Sequence, residues 1–518
     1  PFARPGLAAL ERLTLAWRWP GEELQASAYT RHGHAAALTR GNQRALFVDG
    51  HLALVLPEPQ SSEELVHLAL AQVPEPRRVF VWSGLGGLLP EILKHPVQEV
   101  VLAEPDAALT ALEIQLADPA TRQALRDHRV HLMTGDLRSL LRRAVAKWDV
   151  DVVLLCTPEP STLLAARVLT QESFAEIRRA LRPGGVLAFS LPGAENYYPA
   201  ELVARNGAVW KALAANFAHV EATPLSTNYF LASDSALQIN AAELAQRLEQ
   251  RKVTGAFIDE FSLAALMPGE RMSRLAERYR ATPVAAASDR RPTAYRYSLV
   301  VAGRADSGPM ARLLSKVMDL TWWPFVLGVG LLGLLVMGLL RRCDQGPALL
   351  TVFSVGFSGM GATVLILVVA QATVGALHHL LGALLAAHMA GLALAGWTPW
   401  PRPRLVIALG LGLVAPGAIP WLSRFGSYGP AAVTVGALLV AALVAGMAGG
   451  IGFRSAIGEG MRPARAYGGD LLGAALAAPA IAVFVLPRLG LDVTCGVLAF
   501  FLAPAALVLA LRLPRQSV

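Results

Sequence analysis

Two glycine-containing turns and two acidic residues are spaced as a nucleoside ligand would need them. Gly84, Gly86 and Gly87 follow an apolar run ending at Trp82. Glycines there let a backbone pass close to a ligand and leave a helix N-terminus facing it. Glu104 ends the next apolar run, where one carboxylate can accept from both hydroxyls of a ribose, and Gly135-Asp136 closes the third, where an acid can take an adenine amino group. One glycine-rich turn alone is equally a packing device; the ordered set points to an adenosyl-type pocket. A second group, His378, His379 and His388, falls in a long apolar segment, where ionisable residues are functional candidates for a haem or a quinone. Ten residues of helix separate His378 from His388 by about 15 Å, so the two do not share one iron, and packing or hydrogen bonding between helices is the expected role. The three cysteines, Cys156, Cys343 and Cys495, are widely spaced and support neither a disulfide framework nor a metal site.

The elements that would position the first group alternate in the manner of a doubly wound α/β sheet. Strands are expected at 78–82, 99–103, 130–133, 151–155 and 186–190, the last entered through an Arg182-Pro-Gly-Gly185 turn. Ligands bind at the carboxyl ends of such strands, where the glycines and acids fall. The reading divides the chain into a small N-terminal β region (1–75), a Rossmann-like domain (76–240), a helical appendage and linker (241–318) and an all-α transmembrane domain (319–518). Residues 241–280, rich in Ala, Leu, Glu and Arg, read as a solvated appendage, and 281–288 as a linker.

Several motifs carry a family resemblance. Leu93-Lys94-His95-Pro96, Glu104, Gly135-Asp136 and Leu181-Arg-Pro-Gly-Gly-Val186 resemble the polyamine aminopropyltransferase, or spermidine synthase, family. Pro192-Gly-Ala-Glu-Asn-Tyr197, Asn228-Tyr-Phe-Leu-Ala-Ser233 and Asp289-Arg-Arg-Pro-Thr-Ala-Tyr295 are similar to bacterial proteins that fuse this domain to membrane helices, as are Gly356-Phe-Ser-Gly-Met360 and Arg465-Ala-Tyr-Gly-Gly-Asp-Leu-Leu-Gly473. The resemblance implies binding of decarboxylated S-adenosylmethionine and transfer of its aminopropyl group to a diamine. It also implies an acid in an Asp-x-x-Asp-Pro loop after the fourth strand, which takes the amine proton and anchors the cation. Here that loop reads Cys156-Thr-Pro-Glu159-Pro160: Cys156 replaces the first acid and Glu159 the second. A thiol is mostly neutral at pH 7 and anchors an ammonium poorly. The glycine-rich turn lacks the family's acid, Ala53 stands where a Gln is expected after Asp49-Gly50, and Val66-His67-Leu68 replaces the Tyr-His-Glu that shapes the diamine pocket. Glu195-Asn196-Tyr197-Tyr198 reads equally as a cover for the pocket or as a polar loop with an aromatic anchor.

Past residue 318 the chain carries 11 Lys+Arg, none of them Lys, and 5 Asp+Glu. The basic pI therefore belongs to a membrane region and not to a nucleic-acid patch, and no nucleic-acid partner is expected. Seven apolar stretches, at 321–340, 347–370, 374–397, 405–422, 430–452, 470–487 and 493–511, approach the length of about 20 residues that crosses a bilayer. Arg341, Arg342, Arg402, Arg404, Arg454, Arg462, Arg465, Arg512 and Arg515 lie in one set of loops, against Arg424 and Arg488 in the other. The positive-inside rule then predicts a multi-pass protein of the bacterial cytoplasmic membrane, with the soluble domain on the extracytoplasmic side. The chain begins at Pro1 without an initiator Met, so a missing or processed N-terminal segment is expected.

The expectation is a catalytically inactive relative serving as a structural or docking subunit of a membrane complex, with the lipid bilayer and other membrane subunits as partners and no metal. A divergent aminopropyltransferase, or another S-adenosyl-dependent transferase, is the alternative. A transporter with a ligand-sensing domain is the weakest reading, because Thr363 stands where the fused relatives suggest a Glu and the spans hold almost no acid.

Overall fold

The computed structural model describes residues 13–305 and 345–512, apart from 16, 18, 20, 31–32, 146–148, 157–158, 374–376, 398–409, 413, 415, 423–430 and 459. The chain divides into two compact units, Pro1–Ser288 and Asp289–Val518.

The first unit opens with four antiparallel strands in chain order, β1 (Glu23–Tyr29), β2 (His34–Arg40), β3 (Gln43–Val48) and β4 (His51–Leu56). Asp49 and Gly50 join β3 to β4 with φ of 51° and 82°. A two-residue hairpin turn of this hand requires such values, and Asp and Gly tolerate them best. The Asp49 carboxylate also accepts from the amide of His34 at 2.9 Å, so this turn pins β2 as well. Ala35, Ala37, Leu46 and Leu56 form the sheet's apolar side and pack on Leu109, Leu112 and Leu116 of the helix Ala107–Leu116.

A seven-stranded sheet follows: β5 (Arg78–Trp82), β6 (Glu99–Glu104), β7 (Val130–Thr134), β8 (Val150–Leu155), β9 (Leu181–Pro192), β10 (His219–Ala222) and β11 (Thr227–Ser233). Its order is β10-β11-β9-β8-β5-β6-β7. The five strands expected from sequence are mutually parallel, and β11 and β10 extend the sheet antiparallel to β9. Val79–Trp82 and Val150–Leu155 are buried throughout, as central strands covered by helices on both faces must be. The chain leaves β5 for β6 on one side and returns to β8 on the other, which opens a crevice at their carboxyl ends. The expected turn at Arg182–Gly185 is absorbed into β9: Val150 pairs with Leu181 and Val152 with Val186, and Gly184 sits at φ 79° in the resulting irregularity.

The stretch read as a solvated appendage sends a stripe of apolar side chains into this unit's core. Leu244, Leu248, Leu263, Leu266 and Met272, from the helices Ala241–Gln250, Glu260–Leu266 and Gly269–Ala281, join the core cluster that holds Val79, Val81 and Val152. Arg247 and Arg251 donate to the carbonyls of Ala71, Gln72 and Leu70, closing the C-terminal end of the helix Pro59–Gln72. Tyr279 ends a ladder of rings, Phe174, Phe189, Phe230 and Tyr279, at centroid spacings of 5.9, 5.0 and 6.1 Å. The expected linker is pinned too, since the Ala287 amide donates to Ala208 and its carbonyl accepts from Gln171. The dense charge of these helices lies outward while a stripe of apolar side chains faces in.

The second unit is helical among the described residues. Three of its helices, Gly346–Thr373, Leu377–Trp397 and Ala431–Gly458, contain segments long and apolar enough to cross a membrane. The expected span at 321–340 and the start of that at 405–422 lie outside the described residues. The last two expected spans correspond to Pro463–Pro479 and Leu486–Arg512, joined by a π-helical segment at Ala480–Val485 and broken at Gly490, φ 78°. Glycines set the helix contacts: a Cβ at Gly446 would strike the backbone of His388, one at Gly391 that of Leu443, and one at Gly473 that of Phe353. Small residues of this kind let backbones close where lipid supplies no hydrophobic drive. His388 shares the helix Leu377–Trp397 with His378 and His379, and its Nδ1 lies 3.3 Å from Thr363 Oγ1. The Thr363 hydroxyl donates to Gly359 at 2.9 Å, so its lone pair is left to accept from His388. That bond joins two helices.

Candidate functional site at the strand ends

Backbone hydrogen bonds draw the site segments together. The Ser83 amide donates to Ala103, Cys156 to Trp82, and Gly135 to Glu104, each at 2.9 Å. The turn after β5 thus lies beside Glu104, Asp136 and Cys156, as the sequence pattern required. The turn is tightly wound: Ser83 and Gly87 have φ of 57° and 107°, and a Cβ on Gly86 would lie 2.9 Å from Leu54 of the N-terminal sheet. Its glycines therefore serve packing as well as access.

Glu104 is fully buried, and neither carboxylate oxygen makes a hydrogen bond of ordinary geometry. The amides of Gly84 and Leu85 and the Ser83 hydroxyl lie near enough to favour its charged form. Burial, and next the neighbouring Glu113, outweigh them and hold the carboxyl well above the usual range. Burial alone pushes Glu113 up to about 8. An orphaned acid in such a place suits a ligand that brings its own hydroxyls.

Asp136 is held differently. Its carboxylate pairs with the guanidinium of Arg167, a side chain 8% exposed, and accepts from the Ser139 amide at 3.2 Å. The acid keeps 31% of its side chain exposed.

At the transfer end, burial pushes the Cys156 thiol up to about 12, and the charges of Glu104 and Glu58 act in the same sense. Cys156 thus holds its proton at neutral pH. Glu159 is paired with the guanidinium of Arg205, which is fully buried; burial lowers the pKa of that arginine to about 10, still well above neutral pH. Arg205 also donates to Pro192 O at 2.8 Å and to Asn206 Oδ1 at 2.9 Å. Asn206 donates to Asn228 Oδ1 at 3.0 Å, which accepts from Tyr279 at 2.7 Å. The Pro192-Gly and Asn228-Tyr motifs are therefore parts of one buried network that ends on Glu159. Neither Arg205 nor Arg167 was singled out from sequence. For Arg205 a signal existed: with Leu202, Asn206, Val209 and Leu213 it falls on one helical stripe, all of it buried.

Where the family's diamine pocket is implied, His67 forms a buried chain. Arg251 lies 3.3 Å from His95 Nδ1, His95 Nε2 lies 2.9 Å from His67 Nδ1, and His67 Nε2 lies 3.0 Å from Glu91, which also pairs with Lys94 at 2.6 Å. One assignment satisfies every bond, with both imidazoles neutral and each donating through Nε2. Burial, with the charges of Arg251 and Lys94 adding, lowers His95 to about 2. The Glu195–Tyr198 loop is anchored: Arg271 donates to Glu195 O at 2.9 Å, and Arg278 lies over the Tyr198 ring at 4.9 Å, while Tyr197 is exposed.

Glu104 and Asp136 can receive ribose and adenine. The loop after β8 offers a thiol that keeps its proton, with Glu58 near enough to help raise it, and a Glu159 paired with Arg205; the turn Ser83–Leu89 has no ionisable side chain.

Residues 58–199 match the family model of the spermine/spermidine synthase domain. The polyamine aminopropyltransferase of Korarchaeum cryptofilum is 30% identical over 146 residues, 28% of this chain and 44% of that protein. That of Pyrobaculum calidifontis is 31% identical over 163 residues, 30% of this chain and 56% of that protein. The chain thus spans about half the length of these curated relatives. Spermidine synthase from Thermotoga maritima, a solved structure, aligns at 17% identity over 48% of this chain and 87% of its own, with a TM-score of 0.40.

Proposed function

We propose, with a spermine/spermidine synthase domain at residues 58–199 as the premise, that this chain is a membrane-embedded, non-catalytic relative of the aminopropyltransferases that serves as a structural or docking subunit of a membrane protein complex. One observation carries the reading: the place for the proton-accepting acid holds a thiol at about 12, and the remaining acid of that loop is tied to a buried guanidinium. Aminopropyl transfer displaces a sulfide at carbon, and the attacking amine must first lose its proton to a base whose pKa lies near the working pH. Cys156 is protonated and Glu159 is charge-neutralised, so neither meets that requirement.

The three apolar helices fit a multi-pass membrane protein. Arg454, Arg462 and Arg465, between the helices that contain them, support a cytoplasmic face there, and with it an extracytoplasmic place for the first unit. Purification of the full chain from native membranes tests the role: other membrane subunits are expected to come with it in fixed ratio, and a chain that runs alone would contradict it. A divergent aminopropyltransferase is the second reading, favoured by the buried Glu104 at the end of β6, where a ribose would be received. It requires spermidine formation by the purified chain.

A further inference from the structure

Two motifs that take no part in the strand-end site meet inside the second unit. Gly356 belongs to the helix Gly346–Thr373 and Asp470 to the helix Pro463–Pro479. A Cβ on Gly356 would lie 2.7 Å from the Asp470 carboxylate and 2.5 Å from its carbonyl oxygen, so the glycine is what leaves room for the acid. Gly356 stands well inside the apolar segment Ala348–Gln371, about 12 Å along the helix from its start. With that segment crossing the bilayer, the carboxyl of Asp470 lies below the edge of the hydrocarbon. Asp470 is half-buried, and among the described residues no hydrogen bond or ion pair holds it. Arg465, on the same helix, is bonded to Gln345 at 2.9 Å instead. A carboxyl at this depth is costly until a donor from a neighbouring helix meets it.

The surroundings of Asp470 suit such a helix. Tyr467 and Ala474, three residues before it and four after, fall on its flank of Pro463–Pro479, and Ala478 continues that flank. Tyr467 is exposed, and the two alanines are small enough for another backbone to close on them. We propose that this flank docks a membrane helix of another subunit, and that the helix carries a lysine or arginine that pairs with Asp470. The inference rests on the docking-subunit reading above and names the surface and the chemistry of the partner. Charge selects the occupant: lipid chains offer Asp470 no donor, and a second copy of this chain packed on the same flank brings another acid.

The test is purification of the full chain from native membranes, parent and variant side by side. Asp470→Asn keeps the shape and removes the charge, and is expected to lower the yield of co-purifying membrane subunits at least about tenfold. The melting temperature of the separated variant chain in detergent is expected to equal or exceed that of the parent, because no bond within the chain is lost. A photoreactive side chain placed at Tyr467 is expected to crosslink to a membrane segment that contains Lys or Arg, while the same group at Leu472, exposed on the opposite flank, is not. Retention of the subunits by the Asp470→Asn chain would overturn the proposal, as would crosslinks at Tyr467 to lipid alone or to a segment without a basic residue. A lowered melting temperature would overturn it too, by making Asp470 part of the chain's own fold. A parent chain that purifies alone contradicts the docking-subunit reading itself, whereas subunits kept by parent and variant alike contradict only the docking flank.

Discussion

The two ends of the strand-end site are built on opposite principles. At the nucleoside end Glu104 is buried with no counter-ion, near the amides of Gly84 and Leu85 and beside a second buried acid, Glu113. At the transfer end Glu159 is held by Arg205, and Arg205 is held in turn by Pro192 and Asn206. A buried acid with no counter-ion avoids the cost of its charge by keeping its proton; an acid held by a guanidinium keeps its charge as part of the fold. The contrast sets an acid kept neutral by burial against one neutralised by an arginine.

The largest expected effect comes from breaking the structural end. Arg205→Met strands Pro192 O and Asn206 Oδ1 in the interior and removes the partner of Glu159, and should lower unfolding stability by about 3 kcal/mol in chemical denaturation. Were the loss negligible, the network would not be holding the loop. The helical unit offers a comparison of its own, since its contacts depend on absent side chains instead of paired charges. Gly446→Leu pushes the helix Ala431–Gly458 off the backbone of His388, and about 2 kcal/mol of destabilisation is expected in a thermal melt in detergent.

The nucleoside end is probed through pH. Glu113 has an unfolded pKa near 4.5 and a folded value of about 8, so the folded state holds a proton that the unfolded state has lost. Stability from this group is complete below 4.5 and is lost as pH rises through 8. Glu113→Gln should therefore flatten the decline in stability between pH 5 and pH 8, read by denaturation at fixed intervals of about one pH unit. A variant that declines as steeply as the parent would place the proton elsewhere.

Much of the first unit was legible in sequence because its signals are local. Val79–Trp82 and Val150–Leu155 are unbroken apolar runs, and Glu104 and Asp136 stand directly after strands, where a parallel sheet presents its ligand contacts. What was missed depends on distant packing. Glu113 is buried on a helix that the N-terminal sheet covers, and nothing within ten residues of it announces that cover. Arg167 pairs across 31 residues with Asp136, and Arg205 across 46 with Glu159. The helices of residues 241–281 were misread because their Arg and Glu content outweighs, in composition, the stripe of Leu244, Leu248, Leu263, Leu266, Met272 and Tyr279 that carries them into the interior. The glycine contacts of the helical unit were visible as composition, but which glycine meets which backbone was not.

The claim that the transfer end has become structure is tested most directly by a single assay. The purified full chain is incubated with decarboxylated S-adenosylmethionine and putrescine, and spermidine is measured by mass spectrometry. The account predicts no spermidine above the enzyme-free background at any pH from 6 to 9, a range in which the Cys156 thiol, at about 12, stays protonated. Spermidine formed in proportion to the amount of chain would contradict it.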